Sequence, residues 1–170
     1  ELILSDCAIT LTADGEGALA LQTRLTTLDL YKNPLGLPPT LEHMPDLNYL
    51  DLSETGIADC PYGLSNRPQL RTALLNNNQI QSIPAALFAL PDDIVEGFDL
   101  GGNPLRSADR ERIKERFALT RQDFGVLAET DDILRLQTLY PLMDREEASE
   151  FIYLLPGSLD DGRIEISRRE

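Results

Sequence analysis

Leu28-Asp29-Leu30-Tyr31-Lys32-Asn33-Pro34-Leu35 recurs along the chain in altered form, and its recurrence decides the fold. It returns as Leu50-Asp51-Leu52-Ser53-Glu54-Thr55-Gly56-Ile57, then as Ala73-Leu74-Leu75-Asn76-Asn77-Asn78-Gln79-Ile80. A further copy is Phe98-Asp99-Leu100-Gly101-Gly102-Asn103-Pro104-Leu105, and a partial one opens the chain as Leu2-Ile3-Leu4-Ser5-Asp6-Cys7-Ala8-Ile9. Taking the second apolar anchor of each copy gives Leu4, Leu30, Leu52, Leu75 and Leu100, at steps of 26, 22, 23 and 25 residues. A short unit of this kind cannot bury its own apolar face, so the copies must stack on one another.

The step length and the Leu-x-Leu-x-x-Asn pattern are those of leucine-rich repeats. Alternating Leu-x-Leu forms a short strand whose leucines point into the coil. At the bend that follows, a side-chain amide serves backbone groups that no strand partner reaches, a role suited to Asn33, Asn78 and Asn103. Thr55 stands at the same position with less bonding capacity, and Cys7 is the other residue the pattern accepts there, expected to be buried. The returns share an apolar-Pro-x-x-Leu core: Leu37-Pro38-Pro39-Thr40-Leu41, Cys60-Pro61-Tyr62-Gly63-Leu64 and Ile83-Pro84-Ala85-Ala86-Leu87. Proline favours an extended return over a full helix, and Cys60, aligned with Leu37 and Ile83, reads as a small core hydrophobe.

The expected fold class is therefore α/β: a leucine-rich-repeat solenoid, with short parallel strands on the concave face and irregular convex returns, followed by a C-terminal α-helical segment. Residues 1–105 hold about five repeats, the first partial; 106–120 form a helical end cap; 121–170 form a helical segment that begins a downstream domain. Ser107 is expected to cap the first helix, with Ile113 and Phe117 facing the last repeat. Further helices are expected from Thr130 to Pro141, from Asp144 to Pro156, and from Ser158 through Ile164. The abrupt start in a strand-like Glu1-Leu2-Ile3-Leu4, without Met or a signal-peptide pattern, suggests a piece of a longer protein.

The residues between the inward leucines should form the partner-binding concave face: Thr27, Asp29 and Tyr31; Tyr49, Asp51 and Ser53; Thr72, Leu74 and Asn76; Gly97, Asp99 and Gly101. Asp29 and Asp51 would stand on adjacent strands, where like charges repel and invite a cationic group. On this reading Tyr31 and Tyr49 supply anchors, the aspartates supply specificity, and Asp29→Lys with Asp51→Lys should weaken capture without unfolding the domain. The alternative is that the aspartates are simply solvated polar positions. Catalysis and metal binding are not expected and no cofactor is called for, since the carboxylates have no nearby nucleophile or phosphate loop. The single histidine, His43, falls on the expected convex side.

A net charge of −14, from 29 acidic and 15 basic residues, disfavours nucleic acid and anionic membranes as partners. It favours a protein with a basic surface. No stretch approaches the roughly 18–20 apolar residues of a membrane span. Two cysteines are too few for a disulfide framework or a zinc site.

Three phrases carry a resemblance: Leu52-Ser53-Glu54-Thr55-Gly56-Ile57, Gly102-Asn103-Pro104-Leu105 and Glu146-Glu147-Ala148-Ser149-Glu150-Phe151-Ile152-Tyr153. With the repeats, they resemble Pseudomonas-type bacterial effectors in which leucine-rich repeats precede a NEL-type (novel E3 ligase) ubiquitin ligase domain. The resemblance implies secretion into a host cell, a protein substrate selected and a ligase restrained by the repeats, and a ubiquitin-charged conjugating enzyme engaged only through a downstream domain. The family's catalytic cysteine lies in a Cys-x-Asp context. Cys7 precedes Ala8-Ile9 and Cys60 precedes Pro61-Tyr62, so neither inherits that role and this chain is expected to be inactive alone. The alternative function is a stand-alone interaction or adhesion module with no attached enzyme.

Overall fold

Every Leu-x-Leu of the sequence ladder becomes a strand of two or three residues in the computed structural model, which describes residues 1–126. The strands are β1 (Leu2–Ile3), β2 (Thr27–Asp29), β3 (Tyr49–Asp51), β4 (Thr72–Leu74) and β5 (Phe98–Asp99). They form one parallel sheet in chain order, β1-β2-β3-β4-β5. Leu2, Leu28, Leu50, Ala73 and Phe98 stand opposite one another in register. The amides of Leu4, Leu30, Leu52 and Leu75 donate to the carbonyls of Asp29, Asp51, Leu74 and Asp99 at 2.9, 2.9, 2.8 and 2.7 Å. The inward set, including Leu28, Leu50, Leu52, Leu75 and Leu100, is fully buried in one continuous core.

After each strand the chain must turn sharply, and it does so through one left-handed residue per rung. Asp6, Lys32, Glu54, Asn77 and Gly102 all have positive φ, and each immediately precedes the ladder position. At Gly102 the absent Cβ leaves room for the Asn77 side chain, which a larger residue would have to displace. The bend leaves backbone groups beyond the reach of the sheet, and the asparagine amides take them up. Asn33 Nδ2 donates to the carbonyls of Leu4 (2.7 Å) and Leu30 (2.9 Å), while its Oδ1 accepts from the amides of Cys7 and Ile9 at 3.0 Å each. Asn78 repeats this between Leu52 and Leu75, and Asn103 between Leu75 and Leu100. Thr55 Oγ1 reaches the Leu52 carbonyl (2.8 Å) and donates to Asn78 Oδ1 (3.1 Å). Both bonds lie on its own side of the rung or beyond it, so the link back to Leu30 that an asparagine would make is missing.

The returns depart from a uniform extended reading in a way set by their length. The longest step, from Leu4 to Leu30, holds helix α1 (Ala13–Ala20), with Thr12 Oγ1 accepting the Gly15 amide at 3.2 Å. The 25-residue step to Leu100 holds a 3₁₀ turn at Ala85–Ala89 and the short helix α2 (Asp92–Val95). The two shorter steps have room only for turns, one of them the 3₁₀ turn Leu64–Asn66. Leu37, expected in the core, is 60% exposed, whereas Ile83 at the aligned position is buried.

Helix α3 (Ser107–Thr120) closes the C-terminal end of the core. Ser107 lies inside the helix and is not its cap; the N-cap is Arg106, without a side-chain hydrogen bond. Ile113 is fully buried against the last repeat and Phe117 is half-buried. Asp109 is buried and accepts the Ile83 amide at 3.2 Å, while Arg116 donates to the carbonyls of Phe88 (2.8 Å) and Leu90 (3.0 Å) and pairs with Asp92. Residues 121–126, expected to begin a helical segment, instead return to the sheet edge. Leu100 donates to the Phe124 carbonyl at 2.7 Å, in the pattern that joins every other rung, and Phe124 is buried with its ring edge-on to Phe88. The expected helices between Thr130 and Ile164 lie outside the described residues.

The ladder makes a paired stability prediction. Asn78→Ala removes a buried amide that serves three carbonyls and three donors, and should cost about 1–3 kcal/mol. Thr55→Asn should restore the missing link and stabilise by about 1 kcal/mol. Urea titration followed by circular dichroism checks both, and an unchanged Asn78→Ala midpoint would contradict the ladder.

Candidate protein-interaction face

Three rows of side chains cross the concave face of the sheet. The central row is Ile3, Asp29, Asp51, Leu74 and Asp99, each opposite the next. Thr27, Tyr49 and Thr72 form the row before it. The row after it runs Ser5, Tyr31, Ser53, Asn76 and Gly101. The amides one residue further on (Asp6, Lys32, Glu54 and Asn77) link that row by donating to the carbonyls of Tyr31, Ser53, Asn76 and Gly101. The parallel register thus brings Asp29, Asp51, Tyr31 and Tyr49 together, while Asp99 is separated from them by Leu74.

The carboxylates are tied to the backbone in a way the sequence reading did not assign. Asp29 Oδ1 accepts the Tyr31 amide at 2.9 Å, Asp51 Oδ1 the Ser53 amide at 2.9 Å, and Asp99 Oδ1 the Gly101 amide at 2.8 Å. The same turn, closed by an aspartate onto the amide two residues later, occurs on three rungs. Asp51 is further bound by the Ser53 hydroxyl at 2.5 Å and approached by the Tyr49 hydroxyl at 3.5 Å. Asp51 and Ser53 are buried, at 8% and 5% exposure, so they form the floor of the face and not its contact surface. A lysine at position 51 would bury a charge in place of a satisfied carboxylate, so the charge-reversal experiment belongs to Asp29 alone. The signal was present in the sequence as an Asp three residues before the left-handed residue of the bend, and it recurs in three of the five copies.

What remains for a partner is Thr27, Asp29, Tyr31, Tyr49, Thr72, Leu74, Asn76 and Asp99, all half-buried, beside the exposed Ile3. Asp29 accepts a second bond from Ser5 Oγ at 2.9 Å, again on Oδ1. Among the described residues neither Asp29 nor Asp51 has an ion-pair partner, and Lys32 pairs with Asp6 at 3.6 Å. Gly97 belongs to the rung interface: its missing side chain admits the Arg71 carbonyl of the preceding rung, which a Cβ would strike. Gly101 is likewise covered, with the Gly125 carbonyl 2.9 Å from where its Cβ would stand. His43 is exposed.

The phenols respond to the surrounding charge. Burial, then Asp51 and Asp29, pushes the Tyr49 pKa above its ordinary 10.0. Tyr31 is raised chiefly by Glu54, whose Oε1 accepts its hydroxyl at 3.3 Å. Both tyrosines therefore stay neutral donors at physiological pH.

The cysteines separate. Cys7 occupies the ladder register, its amide bound to Asn33, but its side chain is exposed and not buried as expected. It stands on the outermost rung, where no further rung among the described residues covers it. Cys60 packs against the core at partial exposure, and burial, with smaller effects of Asp59 and Asp109, pushes its thiol up to about 12.

The family described as Leucine Rich Repeat matches residues 24–44, the stretch that carries β2 and its flanks. Among solved structures, an internalin from Listeria monocytogenes is similar at 24% identity and a TM-score of 0.43, over 56% of this chain. The chain spans only 27% of that protein's length. No curated protein matches by sequence. No helix of the described residues is long and apolar enough to cross a membrane. The asparagine ladder and the five-stranded parallel sheet give residues 1–126 the architecture of a leucine-rich-repeat array, a module that suggests a protein partner.

Two measurements follow from the side-chain environments. At pH 8 a thiol reagent should label Cys7 rapidly and Cys60 only on unfolding; rapid labelling of both would contradict the packing of the third return. Because folding raises the Tyr49 pKa, its contribution to stability is intact below pH 10 and is lost as pH rises through the folded value. Spectrophotometric titration of wild type against Tyr49→Phe should therefore show the missing phenol ionising above pH 10.

Proposed function

We propose that this array is the substrate-selecting part of a bacterial NEL-type ubiquitin ligase delivered into a host cell. Its concave face binds a protein with a basic surface. The observation that carries the binding half is the juxtaposition of Asp29, Tyr31, Tyr49 and Thr27 on two adjacent strands, with no neutralising cation among the described residues. The net charge of −14 adds long-range attraction for such a partner. The ligase half rests on the resemblance of the three sequence phrases. Ubiquitin chemistry would reside in a downstream domain that receives ubiquitin from a charged conjugating enzyme, and the same array would restrain that domain until substrate binds. Neither Cys7 nor Cys60 has the Cys-x-Asp context, so the described array supplies recognition and not transfer.

Two experiments test the two halves separately. Incubating this chain with ubiquitin, activating enzyme and a charged conjugating enzyme should give no cysteine-dependent transfer, whereas the chain extended by the coding sequence after Glu170 should transfer ubiquitin. A reading frame without a Cys-x-Asp domain would remove the ligase reading and leave a stand-alone interaction module. For the face, Asp29→Lys should weaken binding of a basic protein substrate at least about tenfold, or about 1.4 kcal/mol, while the domain stays folded with a midpoint lowered only by the lost Tyr31 and Ser5 bonds. Equal affinity of wild type and variant would move the contact surface away from the concave strands.

A further inference from the structure

We draw no further inference here: the strongest candidate, the apolar groove at the outer edge of β1 lined by Leu2, Leu4, Ile9, Leu11, Leu19 and Leu25, is an unpartnered face, and nothing in the structure shows what covers it.

Discussion

The fold depends on how the chain satisfies its backbone where it leaves the sheet. A parallel strand of two or three residues has few hydrogen bonds of its own, and a left-handed bend after it turns several amides and carbonyls inward, away from water. Each such group left unpaired would cost about 1–3 kcal/mol. One asparagine amide has two donors and an acceptor with two lone pairs, and it spans both its own rung and the preceding one. Asn33, Asn78 and Asn103 thereby link rungs that are more than twenty residues apart in sequence. The leucines can then stack, because the bend that would otherwise be unaffordable has been made neutral.

The aspartates show the same logic turned toward the other face. On three rungs the residue between the inward leucines uses one carboxylate oxygen to close the turn two residues later. Polar satisfaction and partner recognition therefore compete for the same side chains. On the third rung the competition is resolved for structure: Asp51 and Ser53 bond each other and are buried. On the second, Asp29 is half-exposed and keeps an oxygen outside these bonds. Two residues with the same motif position thus have different roles, decided by what lies beside them.

Much of this was legible in the sequence. The five anchors, the parallel order and the three asparagines follow from spacing alone, because a repeat fixes its own register once one rung is understood. The details that escaped were those set by neighbours and ends. Cys7 has the right register but stands on the outermost rung, so its environment differs from that of Asn33 in the same position. Phe124 continues the hydrogen-bond pattern of the rungs without any Leu-x-Leu, and only the 2.7 Å bond from Leu100 reveals it. Leu37 and Ile83 share a motif position, yet one is exposed and the other buried, because the two returns differ in length and path. Motif position specifies backbone register well and side-chain burial less well.

The arrangement also limits what charge can contribute at this face. A cation meeting a carboxylate at about 4 Å gains about 1 kcal/mol in bulk water and about 4 kcal/mol at an effective dielectric of 20. The upper figure applies as a partner displaces water at the surface, which Tyr31 and Tyr49 can do together with Ile3 and Leu74. Tyr31 and Tyr49 flank the carboxylates and remain neutral, their pKa values held above the ordinary 10.0 chiefly by Glu54 for Tyr31 and by burial, then Asp51 and Asp29, for Tyr49. They can cover a guanidinium or ammonium group with aromatic surface while presenting no charge that would repel the acidic protein from itself. Beyond the Debye length of about 10 Å at 0.1 M salt, the remaining negative charge acts mainly on the rate of encounter. On the proposed reading, affinity would come from how closely a partner packs on the tyrosines, with Asp29 selecting the groups admitted.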